Sequence, residues 1–127
     1  MIYGIGTDIV KVSRVAHSLR KIGQQYAHNM LSDDEILDYD SIKNHPKFLA
    51  KRFAAKEAFV KALGTGFKYP AILKHITVYH NDLGKPLLKF DEDLQDYLNQ
   101  NGINDVHLSL ADESTSAIAF VILASKP

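Results

Sequence analysis

Apolar residues recur with a helical period from Phe48 to Leu63, and the run closes on Gly64-Thr65-Gly66. At ~100° per residue, Ala50, Phe53, Ala54 and Val60 fall near Glu57, while Phe59 and Leu63 cover much of the other side. A helix apolar nearly all round is usually a buried one. Glu57 and Lys61, four apart, share a face of it. The pattern therefore predicts a central buried helix that carries a carboxylate and an ammonium inward. There each charge needs a partner.

The rest of the chain is read against that helix. Ile2 to Val10 alternates, with β-branched residues, as a strand does. Gly4 and Gly6 leave its side thin, so another backbone is expected to approach closely there. Ser13 is placed to cap a helix from Arg14 to about Ile22, with Gly23 as its stop. Tyr26 to Leu31 suits a further short helical turn. Ser32 and Glu35 form a capping box for a helix from Asp33 to about Ile42, and its first-turn acids suit the helix dipole. Pro46 is expected as the first residue of the central helix. A short helical turn is expected from Pro70 to Leu73. Residues 75–80 and Pro86 to Phe90 read as strands about the Asn81–Gly84 turn, followed by a helix from Asp91 to about Asn99. Val106 to Leu110 and Thr115 to Ala124 read as a hairpin. Strand, helices, then mostly strands argues an α+β fold, with an antiparallel sheet packed around the long central helix.

The 127 residues suit one domain spanning 1–127, and 46% hydrophobic with 24% charged residues is ordinary for a globular protein. The absence of cysteine excludes disulfides and thiol chemistry and fits a reducing, cytoplasmic setting. MIYGIGTDIV lacks a basic signal-peptide segment, and the apolar run Ala117 to Ala124 is too short for a membrane span. Net charge is zero but unevenly spread. Residues 31–42 carry five acids and no Lys or Arg, whereas residues 43–74 carry eight Lys/Arg against Glu57 alone. A basic block around the central helix suits an anionic ligand or partner.

Two carboxylates stand in apolar settings, Asp8 on the first strand and Glu57 on the central helix. If they converge, they offer hard oxygen ligands of the kind Mg²⁺ takes together with substrate phosphates. Lys61, one turn on, would then meet a phosphate. That is the apparatus of phosphoryl transfer. The six histidines lack zinc spacing. His107 and Ser109 share one face of their strand, opposite Val106, Leu108 and Leu110, and a solvent-facing edge is the simpler reading. Neither the GxG of the first strand nor Gly64-Thr65-Gly66 fits a dinucleotide or Walker motif.

GIGTDIVKVSRV at the N-terminus and FLAKRFAAKEAFVKALGTGF in the centre resemble the small, single-domain 4′-phosphopantetheinyl transferases. Phe53, Lys56, Glu57 and Lys61 stand at the positions of that family's F-x-x-K-E-x-x-x-K element. Leu83 to Pro86 and His107 to Glu113 are also similar to it. The resemblance implies the transferase fold. It implies transfer of phosphopantetheine from coenzyme A to a serine of apo acyl carrier protein, for fatty acid biosynthesis, with release of adenosine 3′,5′-bisphosphate. It implies Mg²⁺ held by Asp8 and Glu57, with Lys61 on the phosphates. It implies coenzyme A contacts from Arg52, Gly64, Thr65 and His107, and a carrier grip by Arg14 and Lys21 on the first helix. It also implies a homotrimer with sites between subunits. Asp112 stands where many relatives carry a second histidine. The base that takes the serine proton is left open among Glu57, Asp8 acting through water, and His107.

Two other readings compete. One is a metal-dependent phosphohydrolase acting on coenzyme A. The other is a non-catalytic binder of anionic partners. RNA is a poor candidate partner, because no RNA-binding motif is present and the net charge is zero.

Overall fold

A computed structural model describes residues 1–126. Its elements are β1 (Ile2–Lys11), α1 (Val12–Ile22), α2 (Gln24–Met30), α3 (Asp33–Ser41), α4 (His45–Leu63), a 3-10 turn (Leu73–His75), β2 (Ile76–His80), β3 (Pro86–Phe90), α5 (Glu92–Gln100), β4 (Asp105–Asp112) and β5 (Ser116–Ala124). β1, β5 and β4 form one antiparallel sheet in that order, and β2 pairs with β3 in a separate hairpin. The α+β architecture is as the sequence predicts. Among the described residues no helix is long and apolar enough to cross a membrane.

The contact between α4 and β1 organises the molecule. Gly4 and Gly6 lie directly under the helix backbone. A Cβ at Gly4 would collide with the Ala62 carbonyl, and one at Gly6 with the Ala58 carbonyl. Small residues on both sides, Gly4 and Gly6 on the strand and Ala58 and Ala62 on the helix, let the helix lie flat on the strand. The inward face of β5 completes the contact with buried Ala117, Ala119, Val121 and Leu123. Pleating sends successive side chains to opposite faces. Gly6, Asp8 and Val10 therefore point towards α4, while Ile5, Thr7 and Ile9 point away.

That outward face is left open. Ile5 and Ile9 are 59% and 63% exposed, and Ile118 and Phe120 on β5 join them. Register sets His107 beside Ile122 and Ile5, and Ser109 beside Phe120 and Thr7.

Several boundaries differ from the sequence expectation. β1 runs straight into α1, which begins at Val12 with Lys11 as N-cap, and no side chain caps it. Ser13 is not the cap. A tertiary contact replaces it, since the Val12 N–H donates to the Thr115 carbonyl at 2.9 Å. α4 begins at His45, one residue before Pro46, and the Asn44 side chain accepts from the Lys47 N–H. The turn expected at Pro70 falls later, at Leu73–His75. The capping box is present, with Ser32 and Glu35 each accepting from the other's backbone N–H. Gly64 ends α4 at φ 85°, a left-handed conformation that favours glycine.

Candidate active site

Asp8 and Glu57 converge. The β1–β5–β4 register places Asp8 in an inward row with Ala119 and Leu110. α4, held flat on β1 by the glycines, brings Glu57 over it. Both residues line one hollow of about 360 Å³, walled by Val10, Arg14, Val15, Ser18, Tyr26 and Phe53. Nothing in the sequence pattern singles out Ser18 or Tyr26. They reach the hollow only because α1 and α2 fold back against α4.

Lys61 completes the group, with a different partner from the one four residues away. Its ammonium donates to Asp8 Oδ1 and to the Thr7 carbonyl, each at 3.1 Å. Glu57 has no ion pair among the described residues. Partial burial, and next the charge of Asp8, push its carboxyl above the ordinary value of 4.5, while Lys61 opposes them. Two like charges thus share the hollow, and one lacks a counter-charge.

The prediction that Glu57 and Lys61 are both carried inward needs correcting. Lys61 is 52% exposed at its side chain and Glu57 is half-buried. The fully buried ammonium is Lys56, whose Nζ lies 2.6 Å from Glu35 Oε1. The helical wheel fails here because one side of α4 faces the solvent-open hollow, while the Lys56 side is covered by α2, α3 and the 3-10 turn.

Other residues named from the sequence are spread more widely. Arg14 walls the hollow, and Lys21 lies two turns along α1, exposed. Arg52 is buried on the Lys56 side of α4, its guanidinium 4.2 Å from the centre of the Phe48 ring and its Nε 3.6 Å from Glu35. Gly64 and Thr65 form the exposed turn after α4, where the Thr65 hydroxyl donates to the Gly66 carbonyl. His107 is exposed on the open sheet face, across the sheet from Asp8 and Glu57. Asp112 is engaged by Lys47 at 2.9 Å and Lys51 at 3.7 Å. The hydrogen bond from Lys47 leads in holding its carboxyl below the usual range. Much of the basic block is therefore answered within the chain, by Glu35, Asp8 and Asp112.

The donor set suits a hard divalent cation. Two carboxylates face one hollow, and their mutual repulsion is what such a cation would relieve. No group of three or more metal-ligating side chains occurs among the described residues. Further oxygens would have to come from substrate and water, as is common for Mg²⁺.

A strand carboxylate and a helix carboxylate beside a lysine, on an α+β scaffold, suit the phosphoryl-transfer class of site. The sequence profile described as the 4′-phosphopantetheinyl transferase superfamily matches residues 4–119, and the chain belongs to that family. Its relatives narrow the class. A holo-[acyl-carrier-protein] synthase of Nitrosospira multiformis is 50% identical over 97% of this chain and 98% of its own length. The crystal structure of the holo-[acyl-carrier-protein] synthase from Neisseria meningitidis superposes with a TM-score of 0.96, at 42% identity, covering 98% of this chain and 100% of that one. A Bacillus anthracis holo-(acyl-carrier-protein) synthase in complex with CoA (3′,5′-ADP) gives 0.83 at 34% identity, covering 99% of both.

Proposed function

We propose that the chain, acting as one transferase domain, moves 4′-phosphopantetheine from coenzyme A to a serine of apo acyl carrier protein, in the service of fatty acid biosynthesis. The observation that carries this reading is the convergence of Asp8, Glu57 and Lys61 on one hollow in a chain of this family. The serine oxygen forms a new bond to the phosphorus that bears pantetheine. The bond from that phosphorus to the bridging oxygen breaks, and adenosine 3′,5′-bisphosphate leaves. Asp8 and Glu57 would hold Mg²⁺, which when bound supplies charge stabilisation to the pyrophosphate. Lys61, half-exposed and tethered by a single carboxylate oxygen and one carbonyl, is free to turn from Asp8 to a phosphate and neutralise its developing charge. The serine proton has carboxylate acceptors within the hollow itself.

Arg52 and the Gly64-Thr65 turn are proposed to contact coenzyme A. Arg52 Nε faces Glu35, while the residue also lines a surface hollow with Lys47 and Lys51, a basic setting that suits an anion. Arg14 and Lys21 are proposed to engage the carrier protein, through steering that added salt weakens. His107 lies across the sheet from Asp8, so a role for it on coenzyme A belongs to a neighbouring subunit's site. The open apolar sheet face supports the homotrimer that this requires. A cytoplasmic location accompanies the reading.

The test is to incubate the protein with Mg²⁺, coenzyme A and apo carrier protein and to weigh the carrier by mass spectrometry. A gain of one phosphopantetheine is expected. An unmodified carrier across several carrier proteins overturns the reading, and free phosphopantetheine without an adduct points to the phosphohydrolase.

A further inference from the structure

Lys56 directly precedes Glu57 and faces the other way. An ammonium has three N–H donors. Here each has an acceptor: the Met30 carbonyl at 2.9 Å, Glu35 Oε1 at 2.6 Å and the Leu73 carbonyl at 3.0 Å. Glu35 is as fully buried as Lys56. Its Oε1 also accepts from the Ser32 N–H at 2.9 Å, and its Oε2 from the Val78 N–H at 3.0 Å. One buried pair thus ties the end of α2, the start of α3, the 3-10 turn and β2 to the middle of α4.

A buried ion pair is by itself weak evidence for stability. Replacing a buried ion pair with apolar residues of similar volume is often neutral or stabilising. What the pair does supply is a fixed relation between elements. Tyr26 of α2 and Phe53 of α4 wall the Asp8–Glu57 hollow. The same two residues line an adjoining apolar hollow of about 230 Å³, with Ile22, Asn29, Met30 and Leu73. Met30 and Leu73 are the residues whose carbonyls hold Lys56. Loosening Lys56 would release the α2 wall from the α4 wall. This side of the molecule adjoins α1, whose Ile22 lines the second hollow, and Phe53 also packs on Phe67 just past the turn after α4.

We propose that Lys56 and Glu35 are a positioning pair that sets the width of the cleft between α2 and α4, through which the acceptor serine reaches Asp8 and Glu57. The proposal rests on the transferase reading. Its consequence falls on the acceptor more than on coenzyme A, because the acceptor must pass between the two walls, whereas Arg52, 3.6 Å from Glu35, keeps its seat over the Phe48 ring when that charge is removed. Neither side chain touches a reacting atom, so the signature is a split between the two substrates.

The test compares wild type with the Glu35→Gln/Lys56→Met double variant, which removes both charges together. Leu98→Ala in α5 serves as a destabilised control remote from the cleft. The KM for apo carrier, the KM for coenzyme A and kcat are read from initial rates by mass spectrometry, alongside thermal melting. The double variant is expected to raise the KM for carrier about tenfold with that for coenzyme A within about twofold, because small misplacements of positioning elements have large kinetic effects. Leu98→Ala should lower the melting temperature and leave both KM values unchanged. Should the double variant fail to fold, Glu35→Asp keeps both charges and so avoids an unpaired buried ammonium, while its shorter reach loosens the tie to Lys56, and the same split is expected at about threefold. An unchanged KM for carrier in the folded variant, or both KM values rising together, overturns the proposal. A wild type that transfers nothing overturns the transferase reading itself. A wild type that transfers normally beside unaffected variants overturns only the positioning role.

Discussion

Asp8 and Glu57 bring like charges to one hollow, and Lys61 answers Asp8 directly. Glu57 is left with its carboxyl raised, first by burial and then by Asp8. The sign of the linkage follows. A carboxyl that holds its proton more tightly folded than unfolded costs stability as it ionises, so the metal-free protein loses stability as pH rises through the window above 4.5. Glu57→Gln removes that loss. The variant is expected to melt higher than wild type at neutral pH without metal, and to lose activity by ~100-fold or more, as the removal of a transition-state contact does. Melting curves across pH with chelator present, and initial rates with Mg²⁺, check both halves. A variant with wild-type rates would remove Glu57 from the site. At this scale the sequence was informative about types and partly misleading about partners. Asp8, Glu57 and Lys61 are identifiable as an odd set of charges, yet the Lys61–Asp8 pair spans 53 residues of sequence, beyond what helical spacing shows. Glu35 reads as a capping residue, which it is. Its second task, holding Lys56, depends on α3 lying against α4.

The α4–β1 contact is the element on which the site depends. Helix and strand meet backbone to backbone at Gly4–Ala62 and Gly6–Ala58, and Asp8 is the next inward position after Gly6. Gly6→Ala would set a methyl against a helix carbonyl that has no flexible end to yield. Overpacking of this kind costs about 1–3 kcal/mol. The expected outcome is a lower melting temperature and a fall in kcat larger than the fraction unfolded explains, because α4 and Glu57 must lift from Asp8. A melt and a rate both matching wild type would contradict the close approach. The strand glycines signal this contact in the sequence, and the capping box and the stop at Gly64 are equally legible because their signals are local. The start of α1 is not, because its free N–H is satisfied by Thr115, at the far end of the chain.

At the scale of the whole molecule, the sheet is covered on one side by α4 and bare on the other. Ile5, Ile9, Ile118 and Phe120 make an outward apolar patch, with His107 and Ser109 at its edge. Contiguous apolar surface supports the proposed association face. In the proposed homotrimer, Phe120→Lys is expected to give monomers in sedimentation velocity and, through the proposed role of His107 in a neighbour's site, to weaken coenzyme A binding. A wild type that sediments as a monomer would contradict the proposed assembly. Strand alternation predicts which residues share this face. It does not say that no helix of the same chain covers it, because that follows from the order of the elements in space.

The central claim is that Asp8 and Glu57 act on one ion that meets the pyrophosphate beside Lys61. A crystal structure with coenzyme A and Mg²⁺ tests it most directly. The account predicts one ion within about 2.1 Å of a carboxylate oxygen from each residue, with the Lys61 ammonium turned from Asp8 onto a phosphate. An ion held by only one of the two carboxylates, or a pyrophosphate bound away from this hollow with Lys61 still on Asp8, would contradict it.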